Sequence, residues 1–200
     1  MQPGGSRGAT TPAHNPAAPA IDPAVASQLS VFARAPTSAD ALPTQYRAEL
    51  LGEYGSEKPD VADARRVTAS DGQTAYLVPA RAGACVINTN EAFCSPAASL
   101  PGADAVDLCS PTLPLGQLEI EWLLPDHATN VRVATTSGAT RTFPSGFNVY
   151  IARLPIHAPI PTSIQWNGPG GAHHSVSTGV PSNAQSQSCA HPSNPATPKR

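Results

Sequence analysis

Aromatic side chains are scarce, at 5% of 200 residues, so the core this chain can build is modest and largely aliphatic. Charge is scarce too. Asp, Glu, Lys and Arg together make up 13%, the net charge is −2, and no block of lysine and arginine exists to neutralise phosphates, which excludes a nucleic-acid partner. No run of about 18 apolar residues is present, so no stretch is suited to a membrane span, and the N-terminus has neither the basic head nor the apolar core of a secretory signal. The four cysteines lack the C-x-x-C spacing of zinc ribbons and thioredoxin-like motifs. They are left as disulfides or buried thiols. The glycine-rich stretch Asn167-Gly168-Pro169-Gly170-Gly171 lacks the lysine and following helix of a phosphate loop, and reads as a turn. No cofactor is implied.

What the chain does have is 23 prolines and 15 glycines, more than a helical protein tolerates, which points to strands and loops. The expected fold is mainly β, an antiparallel sandwich or partly open barrel with short N-terminal helices. Residues 1–20 are small and polar and are expected to be a disordered tail or stalk. A single domain is expected over 21–176, and a second disordered tail over 177–200.

Within the domain, Asp22-Pro23 is an N-cap and first-turn proline, with Val25, Leu29 and Phe32 spaced as the buried stripe of a short helix that Pro36 ends. Thr37-Ser38-Ala39-Asp40 starts another turn. A third helical piece is expected over Tyr46–Tyr54 with Leu50 and Leu51 as anchors. Arg66–Ala69 and Thr74–Val78 flank the hairpin turn Asp71-Gly72, with Pro79 expected to close the second strand. Ala84–Ile87 reads as a central strand that turns at Asn88-Thr89-Asn90 and returns through Cys94. The longest periodic stretch is Leu118–Leu154. Leu118, Ile120, Trp122 and Leu124 alternate with Glu119, Glu121 and Leu123, and the runs at Val131–Val133 and Thr140–Ile151 complete an expected three-strand meander. Ser163–Trp166 and an edge strand over Ala172–Val176 finish the sheet, and both Trp122 and Trp166 are expected to be buried.

Glu119 and Glu121 lie two apart on one strand, so their side chains share a face at about 7 Å, near the separation that paired carboxylates use in glycoside hydrolysis. A solvated strand face produces the same spacing, and that is the expected setting. Asp126-His127 offers a base and its orienting carboxylate, with Ser137 or Ser145 as nucleophile, against the reading that these residues simply make a turn. His173-His174 with Cys189 and His191 has the ligand types of a zinc site, but neighbouring histidines on a strand face opposite ways. No catalytic or metal assignment is made on these residues. Cys85 and Cys94, on either side of the Asn88–Asn90 turn, are expected to form a disulfide, with Cys109 and Cys189 as the competing partners.

Leu29-Ser30-Val31-Phe32, Thr37-Ser38-Ala39-Asp40-Ala41-Leu42-Pro43, Ala75-Tyr76-Leu77-Val78-Pro79 before Cys85, Leu123-Leu124-Pro125-Asp126 and Asn148-Val149-Tyr150 together resemble a group of uncharacterised actinobacterial proteins. The resemblance covers Leu29 to Trp166. It implies an extracytoplasmic or cell-envelope location, usually with an N-terminal membrane segment that this chain lacks, and it implies no chemistry. The expected function is a non-catalytic extracytoplasmic β domain that binds a protein, an envelope polymer or another ligand. The alternative is a secreted hydrolase using Glu119/Glu121 or His127.

Overall fold

The computed structural model describes residues 21–107, 113–114, 117–155 and 157–179. The expected tail over 1–20 and residues 180–200 of the one expected over 177–200, and with them Cys109, Cys189 and His191, lie outside the described residues; over 177–179 that expectation is corrected, since Ser177 ends a strand and Thr178 Oγ1 donates to Pro161 O at 2.7 Å. Asp22 caps a single helical turn, α1 (Pro23–Ala26), its Oδ1 accepting from the Ala24 amide at 2.8 Å. The expected amphipathic helix is cut short. A 3-10 turn over Ser30–Ala33 takes its place, yet Val25, Leu29 and Phe32 are all buried as the spacing requires. Asp40, also buried, accepts from the Thr37 amide, from both ends of the Arg34 guanidinium at 2.6 Å and from the Arg66 amide. The Arg34 guanidinium first, then the Thr37 and Arg66 donors, holds the Asp40 carboxyl far below the ordinary carboxylate range.

Helix α2 (Thr44–Glu53) follows Pro43 and is anchored by Leu50 alone. Leu51, expected as a second anchor, is 48% exposed, because the next residue along a helix turns by about 100° away from the buried stripe.

Four strands then form a local meander in the order β1-β2-β3-β4: β1 (Arg65–Thr68), β2 (Thr74–Ala80), β3 (Gly83–Ile87) and β4 (Ala92–Pro96). The Asp71-Gly72 turn forms where expected, with Gly72 at φ +88°, a backbone conformation glycine adopts at no steric cost. Pro79 does not close β2. Pairing with β1 reaches no further than Leu77, and beyond it the Asp60 amide donates to Pro79 O at 2.8 Å, a contact that asks for the carbonyl of Pro79 and not for an N–H, so no ladder donor is lost. Cys85 lies directly opposite Cys94, and the two are joined by the expected disulfide with Cα atoms 3.9 Å apart.

The expected meander over Leu118–Leu154 is corrected by the topology. β5 (Ala103–Asp107), β6 (Gln117–Leu123) and β9 (Val149–Pro155) form one three-stranded sheet in the order β5-β6-β9. β7 (Thr129–Thr135) and β8 (Thr140–Thr142) belong to another, with β10 (Pro161–Asn167) and the edge strand β11 (His173–Ser177), in the order β11-β10-β7-β8. The chain changes sheet at Pro125–Ala128, where proline ends the ladder and His127 takes φ +63°. It changes back between Thr142 and Val149. All pairings are antiparallel, and the three sheets are open and stacked like a sandwich.

Strand alternation sorts the core into layers. On β2 and β3, Ala75, Leu77, Ala84 and Val86 face the middle sheet, where they meet Leu123, Val149 and Ile151. Tyr76, Val78, Cys85 and Ile87 face the other way, under Leu42 and Leu50. The middle sheet sends Leu118, Ile120, Trp122, Leu124 and Tyr150 against Val131, Val133, Phe143, Ile164 and Trp166 of the third. Trp122 and Trp166 are 0% and 2% exposed, as expected. The middle sheet is therefore covered on both faces, and this decides the fate of Glu119 and Glu121.

Candidate functional site

Glu119 and Glu121 are each 1% exposed, so the expected solvated strand face is corrected. They share the face of β6 that carries Leu123 toward the first meander, and the tip of the β3–β4 hairpin covers them. Carboxylates buried at this depth need donors. The hairpin provides them: Asn88 Nδ2 donates to Glu121 at 3.1 Å, and Asn90 Nδ2 reaches both oxygens of Glu119 at 2.9 and 3.0 Å. Asn88 Oδ1 in turn accepts from the amides of Asn90 and Glu91 at 2.7 and 3.0 Å, which fixes the tip in an Asx turn. From β9, directly opposite Glu119 in register, Arg153 Nε donates to Glu119 at 2.6 Å, and its Nη2 lies 3.5 Å from Asp71 in the β1–β2 turn. The disulfide closes the same hairpin just behind its tip.

The two carboxyls are unequal. Burial, first, and the nearby charges of Glu119, Glu91 and Asp71 push the Glu121 carboxyl well above its ordinary value, and the Asn88 hydrogen bond opposes them. Glu121 Oε1 has no hydrogen-bond partner among the described residues, so one oxygen of this group faces no donor there. Such a carboxyl holds its proton more tightly than an exposed one. Paired carboxyls are the pattern of glycoside hydrolysis, but here the hairpin side chains that donate to both groups also cover them, and each is 1% exposed.

A second concentration of polar side chains lies at the end of the middle sheet, where loops meet. Asp126 N donates to Gln28 O at 2.8 Å, Ser30 N donates to Asp126 Oδ2, and Asn148 Nδ2 donates to Asp126 Oδ1 at 3.0 Å. The loop after β6, the segment after α1 and the loop before β9 are thus bound to one another through Asp126. Two cavities adjoin there, of about 430 and 390 Å³, and Ser30, Asp126 and His127 line both. The sequence-derived candidates divide accordingly. His127 and Ser145 line the larger cavity together, with no hydrogen bond joining them. Asp126 is engaged with Ser30 and Asn148 rather than with His127, so it does not orient that imidazole. Ser137 lies apart in the β7–β8 turn, bonded to Thr135 Oγ1 at 3.0 Å.

His173 and His174 do face opposite ways on β11. The His174 ring stacks on Trp166 with centroids 5.2 Å apart and an 11° interplanar angle, and it lines the smaller cavity. Among the described residues no group of three or more His, Cys, Asp or Glu side chains is placed to hold a metal ion. The stretch Asn167–Gly171 is a turn between β10 and β11, with Gly168 N bonded to Ala172 O at 2.8 Å. Sequence reasoning missed Asn88, Asn90 and Arg153 as partners of the buried glutamates, and Gln28, Ser30 and Asn148 as builders of the loop cleft. The one available signal was the pair of asparagines two apart at a hairpin tip, which also suits an ordinary turn. The chain matches no family model, no curated protein and no solved structure.

Proposed function

We propose that this chain is a non-catalytic, extracytoplasmic binding domain whose ligand lies in the loop cleft around His127. One observation carries the reading: the residues best suited to acid–base chemistry are spent on the protein itself. Glu119 and Glu121 accept hydrogen bonds from the Asn88–Asn90 hairpin and Arg153, and Asp126 ties three loops together, while the cleft those loops build is open. Loops held on a sheet scaffold are where binding residues gather. The Cys85–Cys94 bond supports an oxidising compartment. So does the resemblance to extracytoplasmic actinobacterial proteins, which leaves an envelope component as the expected partner.

The hydrolase alternative draws on one fact, that His127 and Ser145 share a cavity. A single experiment separates the readings. The full chain is mixed with isolated cell-envelope fragments and centrifuged, and in parallel is assayed on chromogenic glycosides and esters. Pelleting with the fragments and no turnover is the expected result. Turnover that disappears in Glu121→Gln or Ser145→Ala would overturn it.

A further inference from the structure

The two adjoining cavities carry a chemical signature that narrows the ligand. Among the described residues no lysine or arginine lines either of them, so neither is built to neutralise an anion. The one carboxylate, Asp126, has both oxygens engaged by Ser30 and Asn148, so it has little to offer a cation. What remains is neutral and hydrogen-bonding. Gln28 donates its amide to Ala24 O at 3.1 Å and Ala97 O at 3.0 Å, which fixes the side chain in the cavity wall. Gln28 lines the smaller cavity, beside Pro101, Pro125 and Pro169, which offer C–H surface, and beside His174, whose exposed ring covers the 2% exposed Trp166. Gly168 permits that stack, since a Cβ there would lie 2.8 Å from His174 Nε2. The larger cavity adds Thr129 and Ser145 to the shared Ser30. Between the two stands His127, a non-glycine residue held at φ +63°, a conformation that persists only where its surroundings impose it and that gathers at ligand sites.

Hydroxyls that donate and accept, carbon-rich ring faces and no net charge are the properties of a sugar. We infer that the cleft binds a neutral saccharide chain, with one ring in each cavity and His127 at the linkage between them. Each volume falls near the low end of the roughly 300–1,000 Å³ of small-molecule sites, which suits a unit of that size. The inference rests on the binding-domain reading above and specifies its ligand class.

The test uses the full ¹⁵N-labelled chain, titrated separately with chitotetraose, cellotetraose and maltotetraose, and with octaproline as a peptide that could use the same prolines and rings. At least one tetrasaccharide should shift amide resonances from both cavities, Gly168 on one side and Gly146 on the other. His127→Gly should weaken that binding about tenfold. Glycine relaxes at φ +63°, so the variant's melting midpoint should equal or exceed the parent's, which separates lost binding from lost fold. Silence toward all three sugars, or equal affinity in His127→Gly, overturns the saccharide assignment. Shifts with octaproline alone overturn it too, but leave the binding-domain reading intact, and that reading fails separately if the chain does not pellet with envelope fragments.

Discussion

The two faces of β6 solve the same problem in opposite ways. One sends Leu118, Ile120, Trp122 and Leu124 into an apolar layer where Trp122, Phe143, Tyr150 and Phe147 meet edge to face, with ring centroids 6.0 to 6.3 Å apart. The other sends Glu119 and Glu121 into an equally dry layer and surrounds them with amides and a guanidinium. Burial on the first face is favourable on its own account, because removing apolar surface from water drives it. Burial on the second succeeds only while each donor stays in place. The first face thus tolerates imprecision in direction but not in volume, and the second the reverse.

The comparison is broken most strongly on the apolar side. Trp122→Ala should cost about 3–5 kcal/mol, measured by urea denaturation, because a large side chain is deleted from a layer closed on both sides. A loss well under that would mean the layer collapses into the cavity. On the polar side, the Cys85→Ala/Cys94→Ala pair should cost about 2–3 kcal/mol through the freed loop. It should also raise hydrogen exchange at Asn90 and Glu91, since the hairpin tip loses its closure. Arg153→Met should cost about 1–3 kcal/mol, because Glu119 remains buried with Asn90 alone, among the described residues, to donate a side-chain hydrogen bond to it. Salt should lessen that cost little, as the Glu119 end of the pair is shielded from solvent.

Glu121→Gln should give the smallest effect and the most specific one. The Glu121 carboxyl is raised in the folded protein, so above its ordinary value of 4.5 the native state holds a proton that the unfolded chain has released. Stability must then fall as pH rises from that value through the folded one. Below 4.5 both states are protonated and the contribution is constant. The glutamine variant should lose this slope, matching the parent in acid and exceeding it increasingly toward neutral pH in melting curves. A variant less stable than the parent at every pH would show that the carboxyl's second oxygen is needed.

What could be read in the sequence was whatever is decided within a few residues. The Asp71-Gly72 turn, the Asn88–Asn90 turn and the cross-strand cysteines all appear where local chemistry puts them. The partition of strands among sheets was not readable, because the alternation of β6 says that two faces differ without saying what covers either. Glutamate at alternate positions looks the same on a wet face and on a dry one with donors. The partners that decide the matter stand 29 to 34 residues away, at Asn90, Asn88 and Arg153. Pro79 misled for a similar reason, since its fit depends on where β1 stops. Of the cleft, His127 and Ser145 were named in the sequence, and the structure brings both to one cavity with no hydrogen bond between them. The contribution of the N-terminal segment through Gln28 and Ser30 depends on a contact across 96 positions that no periodicity announces.

The stacking order also sets a timetable. The first meander joins each strand to the next in the chain, so its hairpins close short loops at little entropic cost. The middle sheet must bring β9 beside β6 with β7 and β8 intervening, and neither of its faces is covered until the flanking sheets exist. Long-range pairing of that kind is what slows folding in β proteins. The third sheet needs a pairing of the same span, β10 beside β7, so the first meander is the part expected to form earliest, with the hairpin that receives Glu119 and Glu121 in place before the other two sheets close.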